Sequence, residues 1–202
     1  MGLYVHSLSR LPLGMERDYY VYVLDYGWDE PLTQALHANF RRMADLAAKS
    51  DAIVVAGTDS RAFAQEVLSV HVDEPNFRWD NINGEPGEDI LPALMITTAH
   101  PGRFLGRFPG YAPKMSSRGA ADDTMIIISI KGLCKTPGDV TALIEKVFRD
   151  IAEDRPLQNF AVAKEVAGNA KQSVSEAFIL KPAIYGVGVD IKALIKGLRR
   201  GV

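Results

Sequence analysis

The sequence predicts an α/β domain, and three features carry that prediction. Short segments rich in valine, isoleucine and tyrosine, at 19–24, 52–56 and 124–130, are typical of buried strands. With the amphipathic segments they give the order β-α-β-α-β-β-α, in which the two βα units imply parallel strands joined by right-handed crossovers. The chain has 202 residues, 47% of them hydrophobic, which is enough for one domain with a substantial core.

Composition and charge narrow the class of protein. A formal net charge of −2 gives no general reason to expect nucleic-acid binding. The single cysteine, Cys134, excludes an intrachain disulfide and fits a reducing compartment. No apolar run approaches the roughly 18 residues of a spanning helix, and proline interrupts the short apolar N-terminus, so a signal peptide is not expected either. We therefore expect a cytoplasmic protein.

The first half of the chain predicts strands that lead into helices. Residues 3–8 alternate apolar and polar and would form an edge strand, whereas 19–24 would form a central one. Pro31 stands where the next helix begins, since proline is favoured in a first helical turn. Spacings of three and four then predict an amphipathic helix on the residues Leu32, Leu36, Phe40, Met43 and Ala47. After the strand at 52–56, Asp59 or Ser60 is the expected N-cap of a second helix.

The second half of the chain predicts two adjacent strands and a helix. The polar composition of residues 73–90 predicts a surface loop, and a strand is predicted to follow with Pro92 at its start. Residues 100–123, with four glycines and three prolines, predict a long irregular insertion before the next strand. Strands with no helix between them favour an antiparallel pair. Thr136-Pro137-Gly138-Asp139 then resembles a capping box at the start of the last core helix.

The pattern weakens after residue 154. We expect 155–202 to be a C-terminal extension packed on the same domain, with a short strand at 177–180. Its last segment carries an apolar stripe and a cationic face, so it could dock on its own domain, on a partner or, through 190–200, on a membrane surface.

The order of elements, with Pro92 opening the third core strand, resembles the thioredoxin-like fold. Redox members of that superfamily carry Trp-Cys-Gly-Pro-Cys where the first core strand leads into its helix, and Trp28 and Pro31 match the tryptophan and the proline. Asp29 and Leu32 stand at the two cysteine positions. Thiol–disulfide exchange requires a thiolate as the attacking group, so the resemblance implies a redox-inactive corner.

The same resemblance defines the expected architecture. It implies a three-layer thioredoxin-like domain at 1–154, with core order β-α-β-α-β-β-α, a long insertion at 100–123 between the last two core strands, and the C-terminal extension. Pro92 matches the cis-proline of the superfamily, which lies against the active corner.

Two groups of residues are candidates for a binding site. The first lies around the corner and consists of Trp28, Asp29, Glu30, Pro31 and Pro92. The second follows the third core strand and consists of His100, Arg103, Arg107 and Tyr111, in a loop whose alternating cations and aromatics suit anions, bases or a partner surface. A solvated insertion whose aromatics cover the sheet edge explains the second group equally well.

Acids and histidines at the candidate site have simple structural explanations as well. Asp25, Asp29 and Glu30 could be acid–base groups or cation ligands, but acids beside a helix N-terminus are also favoured by the helix dipole. The four histidines show no metal-binding spacing. His100 is the one singled out for test, although a structural role is the commoner one.

The function predicted from these features is a non-catalytic adaptor that binds a protein partner, with no cofactor and no metal. One alternative is an enzyme or sensor for a small anionic or nucleotide ligand, which would use Asp29, Glu30, His100 and the loop arginines. Another is a membrane-associating effector acting through the basic tail.

Overall fold

The computed structural model describes residues 1–12, 16–28, 30–71, 91–101, 124–163 and, for the backbone, 177–180. The strands are β1 (Gly2–Val5), β2 (Tyr19–Leu24), β3 (Ala52–Gly57), β4 (Ala93–Thr97), β5 (Met125–Ser129) and β6 (Ala177–Leu180). The helices are α1 (Pro31–Ala38), α2 (Phe40–Ala48), α3 (Ser60–His71), α4 (Ile130–Leu133) and α5 (Pro137–Ala152), with 3-10 turns at Leu8–Arg10 and Leu157–Asn159.

The strands form one mixed sheet in the order β1-β3-β2-β4-β5-β6. β1, β3 and β2 are parallel, and β4, β5 and β6 each run antiparallel to the preceding strand in that order. The predicted α/β class is therefore confirmed, as are the parallel pairing within the first βα units and the antiparallel β4–β5 pair. β1 lies at one edge of the sheet, as the alternating pattern at 3–8 predicts, although the strand spans Gly2–Val5.

The strand register brings the ends of five strands together on one side of the sheet. Val5 pairs with Gly57, Val23 pairs with Ala56, Leu24 pairs with Ala93, and Ala93 pairs with Ser129. The carboxyl ends of β1, β3 and β2 thus lie beside the start of β4 and the end of β5. Together these strand ends form one edge of the sheet, perpendicular to the edge strand β1. Loops at the carboxyl ends of parallel strands are where ligands bind in open α/β sheets.

The core has two halves because successive residues of β2 point to opposite faces of the sheet. Tyr19, Val21 and Val23 pack in a cluster with residues of α1, α2 and α5. Tyr20, Tyr22 and Leu24 pack on the other face with residues of α3 and the Leu8–Arg10 turn. Helices therefore cover both faces of the sheet.

The predicted helix over Leu32–Ala47 is wrong in one respect, because it is two helices that meet at Asn39. The Nδ2 of Asn39 donates to the carbonyl of Ala35 at 2.8 Å and to Thr141 of α5 at 3.2 Å. Asparagine side chains that bond nearby backbone groups compete with regular helix. The apolar spacing continues through the junction, so periodicity alone gives no sign of the break.

Helix termini follow the predicted capping residues. Asp59 accepts the backbone N–H of Ala62 at 3.0 Å and caps α3. Thr136 and Asp139 form the reciprocal bonds of a capping box at the start of α5.

The predicted strand at 177–180 is confirmed as β6, which extends the sheet beyond β5. The polar loop at 73–90, most of the 100–123 insertion and the basic tail lie outside the described residues.

Candidate binding site

The corner after β2 carries an exposed indole that is held in place. The Trp28 side chain is 43% exposed, although a residue of its type is normally covered. Its ring stacks on Tyr26, with centroids 5.3 Å apart and planes 29° apart. The ammonium nitrogen of Lys131 lies 5.1 Å from the centroid of the Trp28 ring, within cation–π range.

Lys131 joins the two sides of this corner. Its Nζ lies 3.2 Å from the Glu30 Oε2, at the start of α1. The residue before it, Ile130, donates its N–H to the Pro92 carbonyl at 2.8 Å. The cation thus links α4 to residues 25–28, which follow β2 and which we call the Trp28 turn. We call Tyr26, Trp28, Glu30, Pro31 and Lys131 together the Trp28 surface.

Pro92 lies at the same edge of the sheet as the Trp28 surface. It precedes Ala93, which pairs with Leu24, and Leu24 is four residues before Trp28. The Leu91–Pro92 peptide bond is cis, and Pro92 itself is buried. Four of the predicted corner residues, Trp28, Glu30, Pro31 and Pro92, are thus brought to one edge, whereas Asp29 lies outside the described residues.

His100 is not part of this edge. It follows the far end of β4, where Thr97 pairs with Tyr20 at the start of β2. Four residues of strand separate that end from Ala93, or roughly 14 Å at about 3.4 Å per residue. His100 is 3% exposed, and its ring meets that of Tyr20 edge-on at 5.6 Å. Arg103, Arg107 and Tyr111 lie outside the described residues.

A buried carboxylate sits directly behind the Trp28 surface. Asp25 is 2% exposed, at the carboxyl end of β2. Its Oδ1 accepts the backbone N–H of Gly27 at 2.5 Å, and its Oδ2 lies 2.8 Å from His37 Nε2. The Ser60 side chain also favours the charged form of the carboxylate. Donors from the Trp28 turn and from α1 therefore converge on one carboxylate, as a buried charge requires.

These contacts shift both ionisable groups toward their charged forms. Burial favours the neutral carboxyl, but the hydrogen bonds from His37 and Gly27 outweigh it and hold the pKa of Asp25 below its ordinary value of 3.8. The hydrogen bond to Asp25 raises the pKa of His37 above its ordinary value of 6.5, although burial opposes the rise. Because a carboxylate can only accept, Nε2 of His37 carries the shared proton.

Close packing between β3 and α3 places Ser60 within reach of Asp25. Gly57 ends β3, and a Cβ at this position would lie 2.2 Å from the Cβ of Phe63. Such a distance is far inside van der Waals contact, so the absence of a side chain lets the first turn of α3 lie against the strand. Ser60 opens that turn.

The sequence does not reveal the Asp25–His37 pair, because His37 stands as one of four scattered histidines. The reason for the pairing is visible only in the structure. His37 is four residues after Thr33 and therefore on the same face of α1, and Thr33 is 5% exposed. A polar residue on the covered face of a helix needs a partner, and Asp25 closes the strand that leads into this helix.

The remaining chemistry of the described residues is limited. Cys134 is a free thiol that is 3% exposed, and burial raises its pKa to about 11, so it is a poor nucleophile. The described part of the chain holds no group of three or more histidine, cysteine, aspartate or glutamate side chains able to bind a metal ion. None of the described helices is long and apolar enough to cross a membrane.

Comparison of the chain with family models, with curated proteins and with solved structures finds no match in any of the three.

Proposed function

We propose that the protein is a non-catalytic interaction module on a redox-inactive thioredoxin-like scaffold, and that it binds a protein partner through the Trp28 surface. The observation that carries the proposal is the state of Trp28. Its ring is 43% exposed and yet fixed by Tyr26 and by Lys131.

The scaffold is proposed from the sheet as well as from the corner. Two βα units supply the parallel strands β2 and β3, β1 pairs parallel to β3, and β4 and β5 then extend the sheet antiparallel, as the resemblance implies. Pro92 opens β4 beside the Trp28 surface. Asp29 and Leu32 stand where redox members of the superfamily have cysteine, and Cys134 is buried. A buried thiol at the only cysteine also fits a cytoplasmic location.

The Trp28 surface has the physical properties of a binding hot spot. Tryptophan, tyrosine and arginine dominate measured hot spots, and the two aromatic residues among them bury a large contact area with few rotatable bonds. An aromatic side chain that is already ordered loses less conformational freedom on binding than a mobile one. Glu30 and Lys131 neutralise each other beside the ring, which suits a polar rim around an aromatic centre.

The small-anion alternative requires Glu30 and His100 to act together. These residues lie at opposite ends of the sheet, and His100 is buried. We therefore propose only the protein-binding function.

The test compares two exposed aromatic residues. Trp28 and Tyr4 are the large hydrophobic side chains that the described part of the chain exposes, at 43% and 53%. Full-length wild type, W28A and Y4A are immobilised and exposed to native lysate, and retained proteins are quantified by mass spectrometry. The purified partner is then titrated against all three variants by calorimetry. Hot-spot loss of at least about 2 kcal/mol, or roughly 30-fold in Kd, is expected for W28A.

Y4A is the matched control because the Tyr4 ring, on β1, packs against Phe40, whereas the Trp28 ring packs against Tyr26 and Lys131. It should bind as wild type does. Equal binding by W28A and wild type, with both folded by circular dichroism, would refute the Trp28 surface as the binding site.

A further inference from the structure

We infer that protonation of His37 regulates the Trp28 surface, because the Asp25 carboxylate that binds His37 also holds the turn that carries Trp28. The inference rests on the proposed function for its biological meaning. Its physical content concerns one hydrogen-bonded cluster and can be measured without a partner.

The turn depends directly on Asp25. Gly27 has a positive φ of 74° and an exposed backbone, so it marks a tight turn that has little packing of its own. Its N–H is donated to Asp25 Oδ1 at 2.5 Å. That bond anchors the segment between Tyr26 and Trp28, whose rings stack on each other. If the Asp25 carboxylate were held less firmly, the Trp28 side chain would therefore become more mobile.

His37 is the member of the cluster that can exchange protons with solvent. Its side chain is 32% exposed, whereas that of Asp25 is 3% exposed. Protonated His37 makes a charge-assisted bond between two ions, which is roughly twice as strong as a neutral hydrogen bond. When His37 loses its proton the buried carboxylate keeps its charge but loses its counter-charge, so the cluster that holds Gly27 is weakened.

The charged groups around His37 leave Asp25 as the dominant influence. His37 is the one ionisable residue of α1, and Glu30 before it is paired with Lys131. The pKa of Tyr4, on β1, is raised mainly by burial and in addition by the charge of Asp25. The neighbouring helices contribute Arg41, Arg42 and Asp45 of α2, Lys49 at the C-cap of α2, and Asp139, Glu145, Lys146, Arg149 and Asp150 of α5. Only Asp25 and burial move the pKa of His37 appreciably.

The direction of the pH dependence follows from the two shifts. The pKa of His37 is raised, so its stabilising contribution is complete below 6.5 and is lost as pH rises through its folded value. The pKa of Asp25 is lowered, so its contribution is present above 3.8 and is lost as pH falls through its folded value. The Trp28 turn is thus held most firmly between pH 3.8 and pH 6.5, and it becomes more mobile as the pH rises through the folded pKa of His37.

The experiment measures acrylamide quenching of Trp28 fluorescence against pH. The chain has two tryptophans, so the full-length W79F variant isolates Trp28. Quenching is followed from about pH 5, through the range of about pH 5 to 8 in which histidine ordinarily titrates, and on to higher pH, because the pKa of His37 is raised. It should increase with a midpoint above 6.5. The step should disappear in W79F/H37Q, and in W79F/D25N its midpoint should fall or the step should be lost. W79F/H6Q is the matched control, because exposed His6 bonds the neutral hydroxyl of Thr58 and should leave the step unchanged.

A second measurement keeps the inference testable if H37Q or D25N fails to fold. Histidine side-chain NMR of W79F gives the titration midpoint of His37 directly, and this midpoint should coincide with the quenching step. A flat quenching curve, a step that persists in H37Q, or a step displaced from the His37 titration would each overturn the inference.

These outcomes are separable from those of the proposed function. If quenching is flat while W28A abolishes partner binding, the binding surface stands and its regulation by His37 is refuted. If quenching follows His37 while W28A binds the partner normally, the pH response of the turn stands as a physical property, but it does not regulate partner binding and the inference fails together with the function it serves.

Discussion

Replacement of Gly57 by alanine should destabilise the protein through one defined steric conflict. The added Cβ would lie 2.2 Å from Phe63 Cβ, 2.7 Å from Phe63 Cγ and 2.8 Å from the Asp59 carbonyl oxygen. Ordinary contact begins near 3.4 Å, so the strand and the helix must separate by more than an ångström. The conflict is purely steric, since Gly57 has no positive φ that would strain an L-residue.

Overpacking of this kind costs about 1–3 kcal/mol. We expect about 3 kcal/mol here, because two of the close atoms, a backbone oxygen and a Cβ, cannot rotate away. With a urea m-value of about 3 kcal/mol/M for a chain of this size, the midpoint of unfolding by circular dichroism should fall by about 1 M. The separation should also draw Ser60 away from Asp25.

Gly138 provides the matched control for the Gly57 substitution. It lies in the first turn of α5, where a Cβ would meet nothing closer than Thr136 Oγ1 at 3.6 Å. G138A should therefore be neutral or stabilising by up to about 1 kcal/mol. Truncation of Phe63 to alanine should not rescue G57A, because alanine keeps the Cβ that makes the closest contact. An unchanged midpoint for G57A would refute the inferred packing of α3 on β3.

Two further predictions concern α5 and the cysteine before it. T136A should cost about 1 kcal/mol in urea unfolding, because the capping box loses the acceptor for the Asp139 N–H, whereas T136S should retain most of the stability. Native Cys134 should react with a disulfide reagent far more slowly than the urea-unfolded chain at the same pH, because it is 3% exposed with a pKa of about 11. Equal rates in the two states would contradict its burial.

The sheet could be predicted from the sequence because its signals are local. The strand β5 (Met125–Ser129) is specified within a few residues by β-propensity, and the start of α5 at Thr136–Asp139 is specified by capping. The break at Asn39 could not be predicted in this way. It depends on Thr141, which belongs to a helix 102 residues further along the chain. Periodicity carries no information about such a partner.

Part of the candidate site can be predicted because the signals for that part are also local in the sequence. Trp28, Glu30 and Pro31 are neighbours in sequence, so their common location at the end of β2 follows from one strand-to-helix junction. Lys131 reaches the ring of Trp28 only because β5 lies two strands from β2 in the folded sheet. The small-anion alternative combines His100 with the acids of the corner on chemical type, but the antiparallel direction of β4 carries His100 to the opposite end.

The acids at the corner show why exposure must be known before a role is assigned. In the sequence, Asp25, Asp29 and Glu30 share one structural explanation, the positive end of the α1 dipole, beside roles as acid–base groups or cation ligands. That explanation suits Glu30, which is at the N-cap, 39% exposed in its side chain and paired with Lys131. It does not suit Asp25, because a carboxylate that is 2% exposed loses hydration that a dipole alone cannot replace. The donors Gly27 and His37 compensate that loss, and the hydrogen bond to Asp25 raises the pKa of His37 above its ordinary value of 6.5. The buried acid can therefore link the proton concentration to the position of an exposed aromatic ring.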